Sequence, residues 1–111
     1  MIKTKRIYDP PAPADGYRLL VMRRWPRGVT KRSVDGWEPD LGPSLALLTD
    51  YRQGKLDWPA FARLYRQEMA NRPEVLARPA ALAKAGDVTL LCGCQDETRC
   101  HRTLLKEILD S

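Results

Sequence analysis

The sequence has no long apolar run, a single histidine and only three cysteines, and these scarcities exclude several classes of protein. No segment approaches the roughly 20 apolar residues that cross a bilayer. The basic N-terminus has no apolar core of the kind found in a secretory signal. All three cysteines lie between Cys92 and Cys100, which is not the dispersed, even-numbered framework of a secreted disulfide-rich domain. We therefore expect a cytoplasmic protein without a membrane segment.

The residues that are present suit one small globular domain. The chain has 111 residues, of which 43% are hydrophobic and 30% are charged, as is typical of such a domain. No internal repeat or low-complexity segment interrupts it. We expect a single domain over residues 1–111.

Positive charge is concentrated in the first third of this basic chain. Residues 1–34 hold nine Lys and Arg against Asp9 and Asp15, a net charge of +7, whereas the rest carries −2. This asymmetry favours an anionic partner, either nucleic acid or a phosphorylated or carboxylated small molecule. A solvated basic face without a ligand is the simpler alternative.

Hydrophobic periodicity and capping residues predict the order β-β-α-α-α-β-α. The predicted strands are Ile2–Tyr8, Tyr17–Met22 and Asp87–Leu91. The predicted helices run from Ser44 to before Gly54, from Asp57 through Met69, over Pro73–Ala85, and from the last loop through Leu109. The long helical connection before the last strand suits a crossover to a parallel strand. We therefore expect an α/β fold, a two-layer or three-layer domain whose short, mostly parallel sheet is flanked by helices.

The first candidate site is the basic loop that follows the second predicted strand. Ligands bind at the carboxyl ends of strands in α/β proteins, and forked guanidinium groups bind phosphate or carboxylate in pairs of hydrogen bonds. The candidate anion ligands there are Arg23, Arg24, Arg27 and Lys31. Trp25 and Trp37 are candidate walls that stack on a base or sugar. A purely structural turn, in which Trp25 packs and Arg27 pairs with an acid, is the alternative.

Only one of the two adjacent arginines is expected to face the site. Arg23 and Arg24 directly follow a strand, and consecutive strand residues point to opposite faces. Tyr65 is a further candidate wall, although its helical face (Trp58, Phe61, Ala62, Tyr65 and Met69) is typical of plain core.

The second candidate site is the loop between the last strand and the last helix. Unpaired backbone N–H groups and the helix dipole favour anions at a helix start. His101 is the candidate acid or base, and Arg102 is a further anion ligand, which would contact a molecule held by the first loop. Ordinary core packing of Cys92 and Cys100 is the alternative.

The three cysteines of this loop allow two other chemistries. Cys92, Cys94, Cys100 and His101 are zinc-type donors. However, C-x-C-x5-C-H is not a standard finger spacing, and neighbours on a helix diverge by about 100°, so we expect no metal and no other cofactor. Cys94 and Cys100 are candidate reactive thiols; Cys94 and Arg99 have the C-x4-R spacing of the rhodanese loop, but Asp96 and Glu97 would repel an anion there.

Several segments together resemble the YeaO-like family, domain of unknown function 488. They are KRIYDP at 5–10, DGYRLLV at 15–21, RRWPRGVTK at 23–31, GPS at 42–44, the W-x2-F-x3-Y pattern of Trp58, Phe61 and Tyr65, and VTLLCGC…H near the end. The resemblance implies a small α/β domain of bacterial type and assigns no activity. Members commonly have an acidic residue where this chain has Met22, and close relatives have an amide-histidine pair at Cys100-His101, so His101 is the shared element.

These observations lead to one preferred hypothesis and two alternatives. We expect a pocket for a phosphorylated or nucleotide-like small molecule, formed by the basic loop and the start of the last helix. A nucleic-acid-binding module would use the same basic surface, although no helix-turn-helix pattern is present. A ligand-free interaction domain is the third class. Whether the protein is an enzyme, and its oligomeric state, stay open.

Overall fold

The computed structural model describes residues 1–111 and contains a four-stranded sheet packed against four α-helices. The strands are β1 (Ile2–Arg6), β2 (Tyr17–Leu20), β3 (Gly36–Trp37) and β4 (Val88–Cys92). The helices are α1 (Leu45–Arg52), α2 (Trp58–Ala70), α3 (Pro73–Ala85) and α4 (His101–Asp110). Short 3₁₀ turns occupy Pro13–Asp15, Lys31–Ser33, Pro39–Leu41 and Glu97–Arg99. None of the helices is both long and apolar enough to cross a membrane.

The sheet is parallel throughout, in the order β1-β4-β2-β3. Strand β4 inserts between β1 and β2, so that Leu90 aligns with Thr4 on one side and with Leu19 on the other. All five residues of β4 are buried, as is usual for an inner strand of a parallel sheet. The expected α/β fold with a parallel sheet flanked by helices is confirmed.

The two faces of the sheet are covered differently. The main core joins Leu19, Val88 and Leu90 to apolar side chains from all four helices. The opposite face carries a small cluster of Ile7, Leu20 and Leu91, which packs against side chains of residues 22–34 rather than against a helix. The fold is therefore the two-layer version of the expected architecture, with the basic loop folded over the second face.

One strand was not expected from the sequence. The sequence patterns predict no helix or strand between Met22 and Ser44, but Gly36 and Trp37 pair with Leu19 and Leu20 to form the edge strand β3. A two-residue strand that contains glycine has no periodic pattern, so only the neighbouring strand reveals it. The ends of the other strands differ from the predicted ends by one or two residues; β4, for example, continues to Cys92.

The helices that border the site begin at capped positions. The Ser44 hydroxyl accepts a hydrogen bond from the Leu47 N–H at the start of α1, and the Asp57 carboxylate accepts one from Ala60 N–H at the start of α2. These are the caps that the sequence predicted. Cys100 occupies the N-cap of α4 in an extended conformation, with φ −138° and ψ 139°, so α4 begins at His101.

Candidate functional site

A cavity of about 410 Å³ lies at the carboxyl ends of β2 and β4. The basic loop, the last turn of α1, the loop after β4 and the first residue of α4 form its lining. The structure thus brings Arg23, Arg24 and Arg27 together with Cys94 and His101, although these two groups are some 70 residues apart in the chain. This position is the usual one for ligands in an α/β fold.

Four guanidinium groups and no carboxylate line this cavity. They belong to Arg23, Arg24, Arg27 and Arg52. The charge of Arg23 is already compensated, since its Nη1 lies 2.7 Å from an oxygen of Asp40. The side chains of Arg24, Arg27 and Arg52 are exposed and form no ion pair or hydrogen bond with protein groups. Three free cations therefore face the cavity.

Arg23 is also bound to two backbone carbonyl groups. Its Nε donates to Pro43 O at 3.1 Å and its Nη2 donates to Gly42 O at 3.1 Å. These bonds tie the end of β2 to the segment that precedes α1. Both adjacent arginines therefore line the cavity, although only one was expected to face it, because they follow the strand in a loop rather than within it. Arg23 is the one with structural partners and Arg24 the one with a free guanidinium.

Three side chains that we expected to contact the ligand lie outside the cavity lining. Trp25 donates from Nε1 to Val29 O at 2.8 Å and packs edge-on against Trp37, with 5.3 Å between the ring centroids. Trp37 donates to Met22 O at 2.8 Å. The two indoles therefore hold the basic loop in its fold. Lys31 lies in an exposed 3₁₀ turn outside the lining.

Tyr65, the third expected wall, also lies outside the lining because it belongs to the core. It is fully buried, and its hydroxyl donates to Leu41 O at 2.7 Å. Burial raises the pKa of this hydroxyl far above its ordinary value. Its ring lies 5.6 Å from the imidazole of His101, centroid to centroid, so Tyr65 supports the site from behind.

His101 borders the cavity with both ring nitrogens defined by neighbours. The residue is buried, with only 7% of its surface exposed. Its Nε2 lies 2.6 Å from Val21 O, which accepts a hydrogen bond, and Nδ1 lies 3.9 Å from Cys92 Sγ. Burial lowers the pKa of His101, although the bond to Val21 opposes this effect. The imidazole is therefore neutral near pH 7, with its proton on Nε2.

The three cysteine sulfurs lie close together, and Cys92 and Cys94 line the cavity. All are free thiols, and their Sγ atoms lie within 4.8 Å of one another; Cys92 and Cys94 are 3.6 Å apart. Hydrogen bonds from the thiols of Cys100 and Cys94 lower the pKa of Cys92, and Arg102 adds to the effect. The same contacts, with burial, raise the pKa of Cys100. Cys92 is therefore the more acidic of these two thiols.

Arg102 does not line this cavity, although we expected it to be an anion ligand. The side chain is buried, and Nη1 donates to Cys94 O at 3.0 Å and to Cys92 O at 3.4 Å. It contacts a second cavity, of about 420 Å³, on the other side of the loop. In the lining of this second cavity the carboxylates of Asp9, Asp96 and Glu97 balance the cations of Lys5, Arg6 and Arg102, so it has no excess of positive charge for an anion.

Among the polar side chains of the lining, those of Tyr8 and Arg52 were missed by the sequence analysis. Tyr8 follows β1, and its position after a parallel strand was a usable signal. Arg52 lies in the last turn of α1, and nothing in the sequence distinguishes it from a solvated helical arginine. Its place in the cavity depends on how α1 packs.

Fold and site together define a class of protein: a small parallel α/β protein with an arginine-lined pocket and a thiol cluster at the carboxyl edge of its sheet. The model of a family described as "Active DUF488-N3 subclade" matches residues 2–111. The chain therefore belongs to the DUF488 family, and the resemblance to YeaO-like proteins is confirmed.

Individual relatives cover nearly the whole chain. The sequence is 36% identical over 112 residues to Uncharacterized protein YeaO of Escherichia coli (strain K12), and the aligned region covers 99% of this chain and 97% of the relative. It is 30% identical over 111 residues to Uncharacterized protein Rv3073c of Mycobacterium tuberculosis (strain ATCC 25618 / H37Rv), with coverages of 98% and 93%. No solved structure matches the chain significantly.

Proposed function

We propose that this protein binds an anionic small molecule, phosphorylated or nucleotide-like, in the arginine-lined cavity. The observation that carries the proposal is the composition of the lining, which has four guanidinium groups and no carboxylate. The protein would act as a single-domain enzyme or sensor of the cytoplasm.

The free cations supply the affinity for an anion. Arginine stays charged at any physiological pH, and its planar fork matches the oxygens of a phosphate or carboxylate. Arg24, Arg27 and Arg52 have no protein partner that an anion must displace. Arg23 is the exception, since Asp40 already binds it, and we assign it to positioning the loop.

The size and the apolar surfaces of the cavity suit a small organic anion. Its volume of about 410 Å³ lies within the roughly 300–1,000 Å³ typical of small-molecule sites. Met22, Pro26, Pro43 and Leu48 provide apolar walls between the charged groups. These walls would contact the uncharged part of a sugar phosphate or nucleotide.

His101 and two of the three thiols would face the bound molecule. His101, Cys92 and Cys94 all contribute to the lining. His101 Nε2 is bound to Val21 O, so Nδ1 is the nitrogen that can accept a proton or a hydrogen bond. We keep His101 as the candidate acid or base and Cys94 as the candidate reactive thiol; Cys100, the other candidate thiol, is buried behind them.

A thermal-shift screen tests the proposal. The panel contains inorganic phosphate, sulfate, ribose 5-phosphate, AMP and ADP, with adenosine and ribose as uncharged controls. A ligand at about 100 times its Kd adds about 2.7 kcal/mol to the free energy of unfolding, which raises Tm by several degrees. We expect shifts with one class of anion, lost in Arg24→Ala, Arg27→Ala and Arg52→Ala.

Arg63→Ala is the matched control, because Arg63 is an exposed arginine of α2 outside the cavity. It lowers the net charge equally and should keep the shift. The alternative nucleic-acid module predicts a different result. The affinity for nonspecific DNA would then fall steeply with salt concentration, and all four variants would weaken this binding to a similar extent. Absence of any shift would refute the small-molecule proposal.

A further inference from the structure

We propose that Cys92, Cys94 and Cys100, with Nδ1 of His101 as the fourth donor, bind a thiophilic divalent metal ion such as Zn²⁺. This site goes beyond the proposed anion pocket and does not depend on it. In the metal-bound protein, Cys94 and Nδ1 of His101 are ligands, so they no longer serve as a reactive thiol and a base. The proposed site rests on the convergence of the three sulfurs, which come from the end of β4, the loop after it and the N-cap of α4, and on the imidazole beside Cys92.

The separations of the sulfur atoms fit a tetrahedral metal site. Zinc binds thiolate at about 2.3 Å, so two sulfurs on one tetrahedral zinc lie about 3.8 Å apart. The Cys92 and Cys94 sulfurs are 3.6 Å apart, and all three sulfurs lie within 4.8 Å of one another. Small side-chain rotations are therefore enough to place the three sulfurs around one ion.

The backbone removes the objection that the sequence pattern raised. Cys100 and His101 would diverge if both were helical, but Cys100 is the extended N-cap of α4. The Asp96 carboxylate accepts a hydrogen bond from Thr98 N–H and shapes the loop that returns Cys100 to Cys92. Cys92 lies at the end of β4 and Cys100 at the start of α4, so two of the three sulfurs are held by rigid elements.

His101 is oriented as a metal-binding histidine. Its Nε2 donates to Val21 O at 2.6 Å, which leaves the lone pair on Nδ1, and Nδ1 lies 3.9 Å from Cys92 Sγ. Metal-binding histidines generally donate their other ring N–H to a carbonyl or carboxylate, which fixes the tautomer. Apart from Cys92, Nδ1 of this buried imidazole has no hydrogen-bonding partner in the protein.

Arg102 compensates the charge of the proposed site. Three thiolates and one Zn²⁺ carry a net charge of −1, and this charge would be costly in a buried position without a cation. The buried Arg102 places Nη1 3.5 Å from Cys100 Sγ. The N-terminus of α4 adds a favourable dipole.

Metal analysis and cobalt titration of the reduced 111-residue protein test this site. Protein purified without chelator is expected to contain one zinc per chain. Replacement by Co²⁺ is expected to give the visible bands of a tetrahedral thiolate site and a near-ultraviolet thiolate-to-cobalt band. Cys94→Ser should weaken Co²⁺ binding by at least about tenfold, whereas Arg27→Ala should bind Co²⁺ as the wild type does even if its response to anions is lost.

A wild-type measurement keeps the test decisive if the serine variant does not fold. The reaction of the three thiols with a disulfide reagent is followed with and without equimolar Zn²⁺ in metal-free buffer. Slower reaction of all three thiols with Zn²⁺ present supports the site. Unchanged thiol reactivity together with no cobalt spectrum would overturn it.

Discussion

The Nε2 atom of His101 lies 2.6 Å from the backbone carbonyl oxygen of Val21, 80 residues earlier in the chain. This hydrogen bond ties the first residue of α4 to the end of β2. Because His101 is buried, His101→Ala removes both packing and a bond, and we expect it to lower the free energy of unfolding by about 2–4 kcal/mol. Urea denaturation in metal-free buffer measures the loss. The exposed Glu107→Ala, which breaks only the pair with Arg66, should cost less than about 1 kcal/mol.

Arg23 and Arg24 are adjacent but have different partners, and substitution separates their roles. Arg23→Ala leaves the carbonyls of Gly42 and Pro43 without their donor, and should cost about 1–3 kcal/mol of unfolding free energy. Arg24→Ala should change stability by no more than about 0.5 kcal/mol while weakening the response to anions. Paired urea and thermal-shift measurements check both. The reverse assignment of effects would show that Arg24, not Arg23, holds the loop.

Tyr65 is a structural residue by its contacts. Tyr65→Phe keeps the ring but leaves Leu41 O without the donor that now lies 2.7 Å away. We expect a loss of about 1–3 kcal/mol in unfolding free energy and an unchanged Kd for any anion that the cavity binds. Calorimetric titration of the variant measures the Kd. Weaker anion binding at an unchanged free energy of unfolding would instead show that Tyr65 contacts the bound anion.

The buried carboxylate of Asp15 makes stability depend on acid pH. Burial alone would raise its pKa, but hydrogen bonds from Ala12 N–H, Lys5 and Arg18 outweigh burial and lower the pKa of Asp15 below its usual range. The folded-state pKa is then below the unfolded one. The ionised carboxylate therefore stabilises the fold above about pH 3.9, and this contribution is lost as pH falls through the folded-state pKa.

Substitution of Asp15 tests this dependence. Asp15→Asn should be less stable than the wild type at pH 7, and the difference should shrink as the pH falls below about 4. Urea titrations across this range provide the measurement. Asp50→Asn is the control, because its carboxylate lies 3.9 Å from the exposed Lys55 and contributes little at any pH. A difference for Asp15→Asn that is constant with pH would contradict the prediction.

Gly16 requires both its positive φ and its missing side chain. Its φ is +64°, and a Cβ there would lie 2.2 Å from the carbonyl oxygen of Asp87. Gly28 also has a positive φ, of +78°, but a Cβ there meets nothing within 4 Å. Gly28→Ala should cost about 1–2 kcal/mol from backbone strain alone, and Gly16→Ala should cost clearly more. Equal Tm losses in the two variants would refute a steric role for Asp87.

Much of the fold follows from local sequence patterns. The caps at Ser44 and Asp57, the helix over Pro73–Ala85 and the buried strand before Cys92 all arise from residues close together in the chain. The edge strand at Gly36 does not follow from a local pattern, because a strand of two residues is defined only by its pairing with the neighbouring strand. Family membership followed from segments spread over nearly the whole chain.

The candidate site divides along the same line. Clustering of cations after a buried strand, and of cysteines after another, is a property of the sequence itself, and the parallel topology then brings the two loops together. The hydrogen-bond and ion-pair partners of individual side chains, in contrast, do not follow from the sequence. Asp40, which lies 17 residues from Arg23, neutralises that arginine, and the packing of α1 places Arg52 in the cavity.

The sequence by itself thus determined the elements, their caps and the two loops at the carboxyl edge of the sheet, because these depend on periodicity and on neighbouring residues. Tertiary structure alone decided which arginines are free, that Tyr65 and Trp25 belong to the packing, and that the three sulfurs converge. These features depend on contacts between residues far apart in the chain, and a local pattern contains no information about which distant group lies within hydrogen-bonding distance.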